Sequence, residues 1–289
     1  MSDFLPGGGK LEPGLHFIAT PIGAARDITL RALDVLAGAD LLLAEDTRAL
    51  RHLMEIHGIP LGGRPLWSLH EHNWNEVGPR IMAALREGRC VAYASEAGTP
   101  LVADPGFQLA RATIAEGLTL RAAPGPSAVL AALVVSGLPS DRFLFAGFAP
   151  PAAGSRRTWL AELAQERATV ILYESPKRVG KLLGEMREHF GDDRPTVVCR
   201  ELTKRFEEVT RGALADLATS FAAREVKGEI VVLVDRAPEV RASAQDLQEA
   251  LAEALGRMTV KEAAAQVAAD LGLKRREVYQ QALQMKEDG

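Results

Sequence analysis

The chain of 289 residues is 47 % hydrophobic and 25 % charged, with a formal net charge of −4. That balance fits a globular protein of two ordinary domains plus a small appendage and excludes a generally basic nucleic-acid coat, leaving room only for a local basic face. No apolar run approaches the roughly 18 residues needed to cross a bilayer, and two cysteines provide neither a disulfide framework nor metal-ligand spacing.

Residues 1–14 are rich in Gly and Pro and lack a cationic start followed by an apolar stretch, so they read as a loose tail on a cytoplasmic protein rather than a secretion signal. The first apolar run, 15–19, reads as a buried strand ending at Thr20-Pro21-Ile22-Gly23, where Pro21 and Gly23 force a turn. Apolar positions over 28–33 recur at helical spacing, with Asp27 or Thr29 as the cap. The pattern then repeats: strand 40–44, helix 47–56 stopped by Gly58, a weaker strand 65–69, helix 76–87 stopped by Gly88, strand 90–94, helix 105–116 and strand 119–123. Strands alternating with helices predict βαβ units and a mainly parallel sheet covered on both faces.

A second unit begins after Pro124-Gly125-Pro126 with a helix over 127–135 and a break at 139–141. Strands are expected at 142–146, 168–173, 196–200, 206–211 and 229–234, with helices at 156–163, 176–190 and 213–223. Two of these strands are consecutive, and Glu207, Val209 and Arg211 alternate, which predicts antiparallel edges and a mixed sheet. Cys90 and Cys199 fall within predicted strands and read as buried free thiols. The expected architecture is α/β: an N-terminal α/β domain over 15–124, a C-terminal α/β domain over 125–237 and a helical domain over 243–289 beyond the linker Ala237-Pro238-Glu239. In the helical part, Thr259 and Glu262 carry a capping-box signature, and Gly272 precedes the basic helix start Lys274-Arg275-Arg276, the outline of a helix-turn-helix.

Three predicted strand ends carry polar or small residues: Ala44-Glu45-Asp46-Thr47-Arg48, Ser95-Glu96-Ala97-Gly98-Thr99-Pro100 and Ala123-Pro124-Gly125-Pro126-Ser127. In open α/β folds ligands bind along that edge. Ala97 and Gly98 allow close approach to the backbone, and Ser95 and Glu96 offer acceptors for an amine or ribose; the competing reading is a plain strand-to-helix loop. Glu45, Asp46 and Arg48 suit a hydroxyl-bearing substrate, or else a helix cap with an exposed ion pair. Nucleotide fingerprints fail: Gly7-Gly8-Gly9-Lys10 is followed by Leu11 rather than Ser or Thr, and no Gly-x-Gly-x-x-Gly follows a strand. His70, Glu71 and His72 lack further ligands at metal spacing and read as a solvated loop or a substrate contact. Arg156-Arg157, Lys177-Arg178 and Lys204-Arg205 read as phosphate contacts or solvated surface.

Taken in order, Thr20-Pro21-Ile22-Gly23, Ala44-Glu45-Asp46-Thr47-Arg48, Ala97-Gly98-Thr99-Pro100 with Asp104-Pro105-Gly106, Pro124-Gly125-Pro126, Gly137-Leu138-Pro139-Ser140-Asp141-Arg142-Phe143, Tyr173-Glu174-Ser175, Arg200-Glu201-Leu202-Thr203-Lys204 and Lys227-Gly228-Glu229 resemble the 16S rRNA (cytidine-2'-O)-methyltransferase family of the tetrapyrrole methylase superfamily. The resemblance runs from about Leu15 to the C-terminus. It implies two α/β domains with S-adenosyl-L-methionine in the cleft between them, no metal, a homodimer, no membrane association, and 16S rRNA within the small ribosomal subunit as substrate. It places cofactor contacts in the first domain at Pro21, Ser95, Glu96, Ala97 and Gly98. Leu101, Val102, Ala103 and Asp104 follow in the same loop, and Ser127 at the next. In the second domain it implies Tyr173, Glu201, Leu202, Gly228 and Glu229. Glu96 stands where the family usually has Asp, and Gly23-Ala24-Ala25-Arg26 replaces the usual Asn-Leu after the glycine. For the proton of the ribose hydroxyl, the expected acceptor is Asp46 or Glu45, with Arg48 positioning a phosphate or the carboxylate and Lys204 as the second choice. The rival readings are a methylase of a tetrapyrrole ring, disfavoured by an aromatic content of 5 %, and a DNA-binding regulator. The helical tail either packs on the second domain or contacts RNA.

Overall fold

The computed structural model describes residues 11–70, 72–102, 106–238 and 244–287. The first half is a five-stranded sheet of order β3-β2-β4-β1-β5, built from β1 (Gly14–Ile18), β2 (Leu41–Ala44), β3 (Leu66–Ser68), β4 (Cys90–Ala94) and β5 (Leu120–Ala123). Every pairing is parallel. Because successive side chains point to opposite faces, Ile18, Leu42 and Ala92 meet α1 (Leu30–Gly38) and α2 (Thr47–Ile56) on one side. Phe17, Leu43 and Tyr93 meet α3 (Trp74–Arg86) and α4 (Phe107–Ala115) on the other. The neighbours β1 and β4 therefore send their helices to opposite faces, which opens a crevice beyond their carboxyl ends.

Local chemistry sets the helix starts. Thr29 caps α1 by accepting the Ala32 N–H at 3.2 Å, and Asp46 caps α2 by accepting from Arg48 at 2.8 Å. The helix expected at 105–116 begins only at Phe107, with Gly106 as its N-cap residue. Asp104 and Pro105 lie outside the described residues.

The second sheet has the order β6-β7-β10-β8-β9, from β6 (Phe143–Phe148), β7 (Thr169–Glu174), β8 (Pro195–Arg200), β9 (Glu208–Ala213) and β10 (Ile230–Val234). It is mixed as expected: β6 and β7 are parallel, whereas the β7–β10, β10–β8 and β8–β9 pairs are antiparallel. Helices α6 (Ala153–Leu163), α7 (Val179–Phe190) and α8 (Leu214–Ala222) cover the face carrying Val170, Leu172 and Val232. The opposite face, with Ile171, Cys199 and Val231, packs on α5 (Ala128–Ser136) and on Ile22 and Leu202. Cys90 and Cys199 are both buried thiols outside any disulfide, and burial pushes the Cys199 thiol up to about 11. At the β9 edge, Glu208 is held by Arg200 and Arg224, each at 2.8 Å.

Both sheets belong to one compact unit that ends at Arg236, and the residues from Ala237 form another. Within the latter, α9 (Ala244–Leu255), α10 (Val260–Asp270) and α11 (Arg275–Glu287) close around Leu251, Val267, Val278 and Ala282. The expected capping box is complete: Thr259 and Glu262 each accept from the other's backbone N–H. No helix among the described residues is long and apolar enough to cross a membrane.

Candidate active site

The loops beyond the crevice are tied together before any ligand is considered. Thr20 and Gly98 exchange two backbone hydrogen bonds of 3.0 Å. The Thr20 hydroxyl donates to the Ser95 carbonyl at 3.0 Å, the Ser95 hydroxyl donates to the Gly98 carbonyl, and the Thr99 hydroxyl donates to Pro126 O at 2.9 Å. The segments following β1, β4 and β5 thus make a single wall. Gly98 sits at φ +81°, a region most side chains avoid, and a Cβ there would stand 3.3 Å from Ile22 Cγ2.

The facing wall comes from the second sheet. Tyr173 packs edge-on against Phe145 and Phe148, with ring centroids 4.8 and 5.5 Å away, and burial raises its phenol above the ordinary value. Glu174, only 1 % exposed, accepts the Ser175 N–H at 2.7 Å, and its second oxygen lies 3.1 Å from Arg178 without hydrogen-bond alignment. Arg178 also donates to Ala149 O at 2.8 Å. Arg156 forks onto Glu185 and donates to the carbonyls of Pro150 and Pro151 at 3.0 and 2.8 Å. Arg178 thus ties the loop after β6 to the loop after β7, and Arg156 ties it to α7.

Between the walls lies a cavity of about 430 Å³, within the range of roughly 300–1,000 Å³ usual for small-molecule sites. Among the described residues its lining includes Glu45, Glu96, Glu174 and Glu229 but no Lys, Arg or His. A carboxylate-rich, partly apolar cavity with two aromatic rings suits a ligand that carries positive charge beside a flat ring.

A profile of the tetrapyrrole (corrin/porphyrin) methylases matches residues 14–218. The chain belongs to the tetrapyrrole methylase family. A second profile, that of the RsmI C-terminal HTH domain, matches residues 241–286. The chain is 46 % identical over 278 residues to ribosomal RNA small subunit methyltransferase I of Mesorhizobium japonicum, covering 96 % of this chain and 94 % of that protein. It is 43 % identical to the protein of the same name from Pseudomonas aeruginosa, over 93 % and 96 % of the two chains. Among solved structures, the cobalamin biosynthetic cobalt precorrin-4 methyltransferase shares the fold at TM-score 0.59 and 20 % identity, over 76 % of this chain and 94 % of that one. Diphthine synthase shares it at TM-score 0.57 and 16 % identity, over 76 % and 89 %.

Of the positions singled out in sequence as tetrapyrrole methylase contacts, Glu96, Ala97, Gly98, Val102, Ser127, Tyr173, Gly228 and Glu229 line this cavity, joined by Glu45. Ser95 is buried behind it as the clamp described above. Pro21 and Leu101 stand beside the lining loops, Leu202 is buried behind Ile22, and Glu201 props the Gly228 turn. Ala103 and Asp104, like Glu71 of the histidine loop, lie outside the described residues. Asp46, Arg48 and Lys204 do not line the cavity. Asp46 is spent on the α2 cap and on Arg48, whose backbone N–H and guanidinium hold its carboxyl below the ordinary value. Its placement is the capping one. Lys204 is gripped by Glu229 and Glu201 at 2.9 Å each, and although burial pulls its pKa down these carboxylates raise it overall, which works against a role as base.

Among residues not singled out, Ile22, Thr99, Phe148 and Ser175 also line the cavity. Ser175 directly follows β7 and belongs to the Tyr173-Glu174-Ser175 segment that carries the family resemblance. Phe148 had no local signal, because a break in the β6–β7 register between Phe145 and Phe148 aims it inward. Among the described residues no group of three or more His, Cys, Asp or Glu side chains is placed to hold a metal ion.

Proposed function

We propose that this protein is an S-adenosyl-L-methionine-dependent methyltransferase acting on the 2'-oxygen of a cytidine ribose in 16S rRNA of the small ribosomal subunit. The observation that carries the reading is similarity over nearly the full length of relatives named for small-subunit ribosomal RNA methylation. The cavity fits the cofactor independently of that similarity. Gly98 and Gly228 keep side chains off two stretches of its walls, Phe148 and Tyr173 offer aromatic surface, and the four carboxylates of the lining would favour the positive charge of a sulfonium. S-adenosyl-L-methionine supplies an already activated methyl group.

The protein's own task is to align the ribose and accept its proton. Glu45 is the member of the Glu45–Asp46 pair that reaches the cavity, so it is assigned as the proton acceptor; Asp46 and Arg48 hold the start of α2 beside it. Exposed Lys274, Arg275 and Arg276 at the start of α11 offer the local basic face for RNA phosphates. Small ribosomal subunits place this work in the cytoplasm.

The test incubates the protein with radiolabelled S-adenosyl-L-methionine and assembled small subunits, naked 16S rRNA or a tetrapyrrole. Label is expected in RNA, within a dinucleotide that survives alkali, because a methylated 2'-oxygen can no longer attack the adjoining phosphodiester. Label confined to alkali-labile RNA, or to the tetrapyrrole, defeats the reading.

A homodimer completes the proposal. Helix α5 contains no charged residue, yet Val134 is 83 % and Leu130 50 % exposed beside a shallow apolar groove. An uncharged helix with two apolar faces calls for a cover on both, and a second copy of this chain supplies it. Val134→Asp is expected to halve the mass measured by light scattering; an unchanged mass, or a wild-type protein that is already monomeric, removes the dimer.

A further inference from the structure

The turn after β8, Glu201-Leu202-Thr203-Lys204, does not line the cavity but reaches both of its walls. Towards the first half, the Thr203 hydroxyl accepts the Ala24 N–H at 3.1 Å. Gly23 is packed so closely that a Cβ would lie 2.5 Å from Thr203 Oγ1 and 2.6 Å from Lys204 Cγ. Towards the second half, the Glu201 N–H donates to Glu229 O and the Glu229 N–H donates to Glu201 Oε1, each at 3.0 Å. Gly228, at φ +93°, has no room for a Cβ, which would come within 2.4 Å of the Glu201 carboxyl. Lys204 Nζ closes the arrangement by donating to Glu201 Oε1 and Glu229 Oε2, both at 2.9 Å.

The backbone here is held against its own preference. Glu201 (φ 52°) and Thr203 (φ 63°) are two of the three non-glycine residues with positive φ among those described. Such conformations persist only where surrounding contacts over-determine them, and they cluster at functional sites. Leu202, between them, is buried against the cluster that contains Ile22 and Val231. A single four-residue turn therefore registers Ile22 on one side of the cavity with Gly228 and Glu229 on the other.

We propose that Lys204 is a positioning residue: its ammonium latches the loop before β10 to the turn after β8, which itself packs on the loop after β1, and so sets the affinity of the cavity for S-adenosyl-L-methionine. The proposal rests on the cofactor reading above. Without the ammonium, the Glu201 and Glu229 carboxylates oppose each other across the hydrogen bond that fixes the residue 229 backbone. Charge alone predicts the reverse sign, since removing a cation near a positively charged ligand tightens binding.

Calorimetric titration of Lys204→Met and Lys204→Arg with S-adenosyl-L-methionine and with its uncharged thioether product tests the latch. Lys204→Met is expected to weaken both ligands about tenfold, the loss of roughly one charge-assisted hydrogen bond. KM for the cofactor should rise with Kd while kcat at saturation stays near wild type, and Lys204→Arg should recover much of the affinity. Unchanged or tighter binding by Lys204→Met overturns the proposal, as does a collapse of kcat at unchanged Kd, which marks a base instead. If Lys204→Met does not fold, Glu229→Gln removes one arm of the latch at a side chain 71 % exposed. Its affinity for the uncharged product must then fall, and an unchanged value overturns the latch. A wild-type protein that binds neither ligand ends the cofactor reading itself; wild-type binding with an indifferent Lys204→Met ends only the latch.

Discussion

Glu45→Gln is expected to slow methyl transfer by about 10²–10⁴-fold, the usual contribution of a positioned general base, while the protein still binds S-adenosyl-L-methionine. The substitution keeps the shape of the side chain and removes its negative charge and, with it, its ability to take a proton. One of the four lining carboxylates is lost, so cofactor affinity is expected to fall far less than the transfer rate. Asp46→Asn is the informative partner. Asp46 lies next in sequence, but its carboxylate accepts from the N–H groups of Arg48 and Ala49 and pairs with the Arg48 guanidinium. Asn is also a good helix cap, so this variant is expected to retain both fold and transfer. Single-turnover rates with labelled cofactor, together with calorimetric binding, separate the two. A nearly normal rate for Glu45→Gln, or a dead Asp46→Asn enzyme, reverses the assignment.

Gly180→Ala is expected to produce a large loss of stability. Helices α7 and α8 approach so closely that a Cβ at Gly180 would lie 2.7 Å from the Phe221 carbonyl oxygen and 3.2 Å from the Ala222 nitrogen. Backbone atoms cannot swing aside as the tip of a long side chain can. Overpacking of this kind costs about 1–3 kcal/mol, and each kcal/mol lowers Tm by roughly 2–4 °C for a unit of this size. Gly184, one helical turn further on, has nothing within 4 Å of its added Cβ. Gly184→Ala is therefore expected to raise stability by about 1 kcal/mol through helix propensity alone. Thermal melts of the two variants should move in opposite directions, and an unmoved melt for Gly180→Ala would contradict the close packing.

Much of this architecture is legible in sequence because its signals are local. The strand 90–94 and the helix 47–56 stand where apolar runs, Asp46 and Gly58 place them, and Thr259 with Glu262 announces a capping box that is present. Ends set by tertiary contacts are harder to read. Helix α7 starts at Val179 rather than near 176, because Arg178 and Val179 both donate to Ser175 O in a turn that precedes it. The site divides in the same way. Gly98, Glu96 and Ser127 announce themselves as small or polar groups at strand ends. Phe148 depends on a register break in β6, and Lys204 takes its place from carboxylates 3 and 25 positions away in the chain. Glu45 and Asp46 carry the same functional group side by side. Only the path of the backbone from β2 into α2 gives one to the cavity and the other to a helix cap.

The β9 margin has a consequence for how molecules of this protein can meet. An outermost strand with free N–H and C=O groups ordinarily invites another strand to add to it, the first step towards runaway polymers. Here that strand carries Glu208 between two arginines, and Arg211 reaches back to the carbonyls at the end of α5. An incoming chain would have to bury or break those charged groups to extend the sheet. Side-by-side growth is therefore penalised at this border, whatever association the uncharged helix permits.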